Sequence, residues 1–131
     1  MATGGVERLR RRADYLRVQA AERRVALPGL LLQAAPGEAG CRRVGFTASR
    51  KVGNAVARNR ARRRLKALAG EMLPLHAVCG HDYVLVARQA TPAREFQALR
   101  RDLESALRKL KLWQPAAPAG PAAEPGEGSA A

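Results

Sequence analysis

The chain has 131 residues, 47% of them hydrophobic and 4% aromatic, which gives room for one domain with a modest core and not for two. Nothing after Lys111 is basic and Glu124 and Glu127 lie near the end, so residues 1–113 carry 24 basic against 9 acidic groups, a net of +15. No segment is apolar enough to span a membrane, and no long amphipathic helix pairs a basic face with bulky aromatics, so nucleic acid is the favoured partner and a membrane surface is not.

Only Lys51, Lys66, Lys109 and Lys111 among the basic residues are lysine. Arginine grips phosphate with a planar fork and stacks on bases, although a chain so rich in Ala, Gly, Pro and Arg is equally explained by genomic bias. Cys41 and Cys79 form no Cys-x-x-Cys pair and the N-terminus lacks the apolar core of a signal peptide, so a cytoplasmic location is expected.

In chain order, Leu9, Ala13, Leu16 and Ala20 recur at helical spacing and predict a first amphipathic helix from Arg8 to about Ala21, with Tyr15 and Gln19 beside the apolar stripe. Leu27 to Ala34 reads as an edge-type strand because Pro28 and Gly29 break its start, and residues 36–40 read as a turn. Arg42 to Ser49 alternates, with Val44, Phe46 and Ala48 on one side and Arg43, Gly45, Thr47 and Ser49 on the other. These two strands are expected to pair as an antiparallel hairpin.

The stretch Arg42 to Met72 organises the rest. If Asn54 starts a helix, Ala57, Ala61, Leu65, Leu68 and Met72 share an arc of roughly 80°. The opposite arc collects Arg58, Asn59, Arg60, Arg62, Arg63 and Lys66, with Arg64 at the border and Val56 the one misplaced apolar residue. No acid stands between Arg42 and Glu71, whereas a merely solvated face usually interleaves Glu with Lys. Adjacent cations repel, so this face is read as one built for a polyanion. Gly53 is expected to permit the turn into the helix and Asn54 to cap it, leaving N-terminal amides that can hold a phosphate.

Pro74 is expected to end that helix. Asp82 to Arg88 has apolar residues on both faces and predicts a central strand. Thr91-Pro92 predicts a helix start, after which Phe96, Leu99, Leu103, Ala106, Leu107, Leu110 and Trp113 share an arc of about 120°. From Gln114 the chain offers little to bury and is expected to be a disordered tail.

The chemistry of a protein nuclease is missing from the sequence. Asp14, Asp82, Asp102 and the glutamates are scattered, and those of the last helix read as surface partners for arginine. His76, Cys79 and His81 lack a fourth zinc ligand at a usual spacing, and Lys51-Val52-Gly53-Asn54 lacks the glycine spacing of nucleotide-binding loops. No catalytic side chain and no protein-bound metal is expected.

Arg43-Val44-Gly45-Phe46-Thr47, leading through Ser49 to Val56 and on to Arg58-Asn59-Arg60 and Arg62-Arg63, resembles the protein subunit of bacterial ribonuclease P. The resemblance extends to Asp14-Tyr15, to residues 82–88 and to the closing helix, covering a domain of residues 8–113 and leaving out the tail, 114–131. It implies an α+β fold: a small two-layer α/β sandwich, ribosomal-protein-like, with a mostly antiparallel sheet and a left-handed strand-helix-strand crossover. It implies a holoenzyme in which a catalytic RNA subunit uses Mg²⁺ to remove the 5′ leader of precursor tRNA, with no cofactor bound by the protein alone and no protein partner. RNA-binding residues transfer to Arg50, Lys51, Asn54, Arg58, Asn59, Arg60, Arg62, Arg63 and Lys66, and a leader cleft to Tyr15, Gln19, Leu31, Gln33 and Arg88. Gln19 and Gln33 stand where the family often has stacking aromatics, so leader contacts are expected to be more polar here. The alternatives are a ribosomal or chaperone-like binder of structured RNA and a protein-only nuclease.

Overall fold

The computed structural model describes residues 6–38 and 40–115, so the expected tail lies almost wholly outside the described residues. The elements are β1 (Glu7–Arg8), α1 (Arg12–Ala20), β2 (Arg23–Ala26), β3 (Leu30–Pro36), β4 (Arg42–Thr47), α2 (Ala55–His76), β5 (His81–Ala87) and α3 (Phe96–Lys109), with a 3-10 turn at Arg50–Val52. One five-stranded sheet has the order β1-β4-β5-β3-β2. The sheet is mixed: β5 runs antiparallel to β3 and parallel to β4, with α2 making the crossover.

Helices α2 and α3 cover one face of the sheet. Alternation along the strands sends Leu30, Leu32, Val44, Phe46, Tyr83 and Leu85 into that layer, where they meet Ala61, Leu65, Leu68, Leu103 and Leu107. Each leucine buried there contributes about 1.5–3 kcal/mol relative to an exposed one. The opposite face is covered only in part: Val84 and Ala35 pack under Leu9, Val18 and Tyr15 of the α1 region. The rest of that face stays open, and the site occupies it.

Helix α2 forms as the sequence predicts. The Asn54 side chain accepts from the Ala57 amide at 2.9 Å, and Gly53 has φ 145°, a conformation other residues rarely adopt. Ala61, Leu65, Leu68 and Met72 are buried as expected, joined by Ala69 and Leu73. Pro74 does not end the helix, which runs on to His76. The physical reason lies on β4: buried Arg42 donates through Nη1 to the carbonyls of Leu73, Pro74 and Ala77 at 3.3, 2.9 and 3.0 Å. It thereby satisfies the helix end and complements its dipole.

Several expectations need correction. β3 and β4 do not form a hairpin, because β5 inserts between them, and β3 is an interior strand with β2 on its outer side. Arg8, expected to open the first helix, instead pairs with Val44 along the β4 edge, with Glu7 before it opposite Arg43, and α1 begins only at Arg12. The α1 face that packs is then Val18 and Tyr15, while Ala13, Leu16 and Ala20 are exposed. Thr91 starts no helix. It is fully buried, donating through Oγ1 to the Gly29 carbonyl at 2.6 Å and accepting from the Arg88 amide at 2.8 Å, and α3 begins at Phe96. Asp102 is no surface partner either: it is buried, accepting from the Gly29 amide at 3.0 Å and from Arg94 Nε at 2.7 Å. Along α3, Leu99, Leu103, Ala106, Leu107 and Leu110 are buried as predicted.

Candidate nucleic-acid interface

The open sheet face and the N-terminal half of α2 meet at the 3-10 turn after β4. On the sheet, Leu31 pairs in register with Val86, and Val86 with Thr47. This row of three has a depression on either side. One, of about 790 Å³, is lined by Pro28, Leu31, Ser49, Lys51, Val86 and the stretch 87–90. The other, of about 460 Å³, is lined by Arg10, Arg12, Tyr15, Leu16, Gln19, Phe46 and Thr47. The two flank one row of the sheet between α1 and the turn after β5, and we treat them as the two ends of one shallow cleft. An apolar floor with cations and amides on its walls fits a single strand of nucleic acid, whose bases need a flat surface and whose phosphates need charge.

Tyr15 and Gln19 of α1 line the smaller depression, and Leu31 of β3 and Arg88 of the turn after β5 line the larger, so three elements or turns supply them. Gln33 lies one pleat further along β3, opposite Val84, and lines neither depression. Arg88 donates one guanidinium nitrogen to the Leu27 carbonyl at 2.7 Å, which aims the remainder at the cleft rim. Sequence reasoning missed Arg10, Arg12, Leu16 and Thr47. Leu16 had the strongest available signal, an apolar residue that turned out half exposed, but its spacing with Ala13 and Ala20 assigned it to a core.

The wall at α1 is positioned by an acid. Asp82 on β5 is 1% exposed and receives a two-pronged contact from Arg43, Nε to Oδ1 at 2.9 Å and Nη2 to Oδ2 at 2.8 Å, together with a hydrogen bond from Arg17 of α1. Burial alone would push this carboxyl up, but the hydrogen bonds of Arg43 and then Arg17, with both charges, outweigh it and hold the group below the ordinary carboxylate value. Arg17 also donates to the Pro36 carbonyl at 2.9 Å, so α1 is pinned at the far end of the sheet. Beside it Tyr15 lies flat on Gly45, where an added Cβ would come within 2.5 Å of the ring. Only glycine lets the helix approach so closely.

Helix α2 presents the other half of the interface. Among the described residues, none of the cations from Arg58 to Lys66 forms an ion pair; the ion pairs use Arg17, Arg43, Arg94, Arg100 and Arg108. Arg58 donates to the Gly53 carbonyl at 3.0 Å and Arg62 to Asn59 Oδ1 at 3.0 Å, contacts that orient the guanidinium groups and leave their charge uncompensated. Arg60 reaches the Pro92 carbonyl at 2.8 Å. Arg50, Arg63 and Lys66 are exposed, and their side chains make no hydrogen bond among the described residues. Asn54 spends its side-chain oxygen on the helix cap. Lys51 lines the larger depression and sits one turn before α2, so it belongs to both halves.

Among the described residues no group of three or more His, Cys, Asp or Glu is placed to hold a metal ion. Asp14 and Asp82 face arginines, and His76 stacks on Trp113 with ring centroids 4.0 Å apart. No helix is long and apolar enough to cross a membrane among the described residues.

Comparison with known proteins places this geometry in context. A family model described as Ribonuclease P matches residues 5–111. The ribonuclease P protein component of Paramagnetospirillum magneticum is 48% identical over 114 residues, covering 83% of this chain and 86% of that protein. That of Ruegeria pomeroyi is 48% identical over 118 residues, covering 87% and 94%. Among solved structures, the RNase P protein from Thermotoga maritima aligns with a TM-score of 0.65 at 24% identity over 80% of this chain and 96% of its own. An RNase P protein of Staphylococcus aureus gives 0.65 at 22%, over 82% and 97%. At those identities the structures speak for the fold alone.

Proposed function

The chain belongs to the ribonuclease P protein family, and from that premise we propose that its two-part interface divides the work of precursor tRNA processing. The protein is the protein component of a ribonucleoprotein whose RNA subunit is its partner and carries out the hydrolysis. In our reading α2 and the 3-10 turn anchor that RNA through Arg50, Lys51, Asn54, Arg58, Asn59, Arg60, Arg62, Arg63 and Lys66. The cleft on the open sheet face, walled by Tyr15, Gln19, Leu31 and Arg88, takes the single-stranded 5′ leader of precursor tRNA. Gln33 extends the same sheet face beyond the cleft.

The observation that carries this reading is the position of Lys51. It stands on the cleft wall and at the foot of the unpaired arginine row, so a strand leaving the RNA-bound surface enters the cleft without crossing neutral ground. In this reading the Mg²⁺ ion belongs to the RNA subunit, which carries out the hydrolysis. The compartment that follows is the one where tRNA is made, the cytoplasm.

Reconstitution tests the proposal. The purified chain with its cognate RNA subunit is expected to cleave precursor tRNA at lower Mg²⁺ than the RNA alone, and to bind precursors more tightly as the leader lengthens from one nucleotide to the span of the cleft. Improvement without leader dependence would leave a structured-RNA binder with no leader cleft. Cleavage by the chain with no RNA present would make it a nuclease in its own right.

A further inference from the structure

Arg64 lies at the border of the basic face, on the flank of α2 turned to α3, and the RNA-anchoring reading leaves it without a task. Its guanidinium is committed inward. Nη1 donates to the Thr91 carbonyl at 2.5 Å, Nη2 donates to the Arg94 carbonyl, and the group lies 6.0 Å from the Phe96 ring centroid. Burial, and then the charge of Arg60, lower its pKa from the ordinary value. A cation held at that cost on two neutral carbonyls is serving the backbone it grips.

That backbone is the turn between β5 and α3, and it is a closed circuit. Thr91 Oγ1 donates to the Gly29 carbonyl and accepts from the Arg88 amide. Arg94 is held by Asp102, which also accepts from the Gly29 amide. Gly29 is thus fixed at both of its polar atoms, and Pro28 before it lines the larger depression together with Arg88, Gln89 and Ala90. Three elements meet at this wall of the cleft: α3 through Asp102, the turn before β3 through Gly29, and α2 through Arg64, which takes two carbonyls of the turn beside the one that Arg60 takes at Pro92.

We infer that Arg64 is a positioning residue for the leader cleft, coupling the RNA-anchoring helix to the cleft wall by holding the 91–94 backbone. The inference rests on the cleft being the leader site. A planar fork is needed because two carbonyls are gripped at once, and the single ammonium of lysine keeps the charge but lacks that geometry. A phosphate contact would behave otherwise, since it depends on charge and enters the salt dependence of RNA binding.

The test uses holoenzyme reconstituted with the cognate RNA subunit and the variants Arg64→Lys and Arg64→Gln. Binding is measured to precursor tRNA with a leader that spans the cleft and to one with a single-nucleotide leader. Both variants are expected to lose roughly tenfold in affinity for the long leader, on the scale of one or two lost hydrogen bonds, and nothing for the short one. Affinity for the RNA subunit and its salt slope stay at wild-type values, and the Arg88 amide exchanges faster with solvent. A lysine variant that restores what glutamine loses, or a flattened salt slope in RNA-subunit binding, would make Arg64 a phosphate contact and overturn the inference. So would wild-type leader dependence in both variants. A wild-type protein that itself ignores leader length fails the cleft reading first, and the inference with it.

Discussion

Two groups of arginines in this molecule face opposite electrostatic surroundings. Around Asp82, Arg17 and Arg43 converge on one buried carboxylate, with Asp14 3.6 and 3.7 Å from their guanidinium nitrogens. Along α2, Arg58, Arg60, Arg62 and Arg63 find carbonyls, an amide or solvent, and no acid among the described residues. The first group stabilises the fold and fixes α1 at the cleft. The second lowers stability by mutual repulsion until a polyanion arrives, so its purpose lies outside the folded chain. Arginine content alone does not separate the two; the position of one aspartate does.

Removing that aspartate is expected to have the largest effect. Asp82→Asn leaves Arg17 and Arg43 facing each other over a neutral amide and should cost about 3 kcal/mol, the lower end for a broken buried pair because Arg17 and Arg43 are 41% and 25% exposed. A fall in Tm would register it. The acid limb of stability should change as well. The Asp82 carboxyl titrates lower in the folded than in the unfolded chain, so its contribution is fully present above the unfolded value near 4 and is lost as pH falls through the folded one. Asp82→Asn should flatten that limb below about pH 4; an unchanged acid limb would mean that other carboxyls control it.

Stripping exposed cations from the basic face, Arg63 of the second group with Arg50 and Lys66 beside it, should do the reverse. Arg50, Arg63 and Lys66 changed together to Ala should leave Tm unchanged or slightly raised, because no described contact is lost. RNA-subunit binding should weaken, and the slope of log affinity against log salt should fall by about 2 to 3. A full wild-type slope would reduce this face to a solvated one.

A smaller effect is expected inside the cleft, where a polar residue stands in place of a stacking surface. Gln19→Phe should tighten binding of a long leader by about 1 kcal/mol, the low end for base stacking on an exposed site, with no gain for a one-nucleotide leader. Equal gains for both substrates would place residue 19 away from the leader.

Much of this is legible in the sequence. The α2 cap at Asn54, the buried row Ala61, Leu65, Leu68 and Met72, and the α3 stripe follow from helical periodicity, which is local and strong. The cleft residues Tyr15, Leu31 and Arg88 came from family resemblance, and the fold brings them to one face. What failed was long-range. Nothing in Leu27 to Ala34 or Arg42 to Ser49 reveals that β5, more than thirty residues on, inserts between them. Asp82 looked like a scattered acid because its partner Arg43 is 39 residues away, and Asp102 looked like a surface acid because Gly29, from whose amide it accepts in the interior, is 73 residues away.

The sequence by itself determined where helices could form, which of their faces were apolar, and that one basic face had no acid to neutralise it. Those properties depend on neighbours within a turn or two, and the chain carries them in its spacing. Tertiary structure alone decided which arginines are spent on the fold. Arg17, Arg43 and Arg64 differ from Arg63 only in what the sheet, α1 and the 91–94 turn bring within about 3 Å of them, the range at which a hydrogen bond forms.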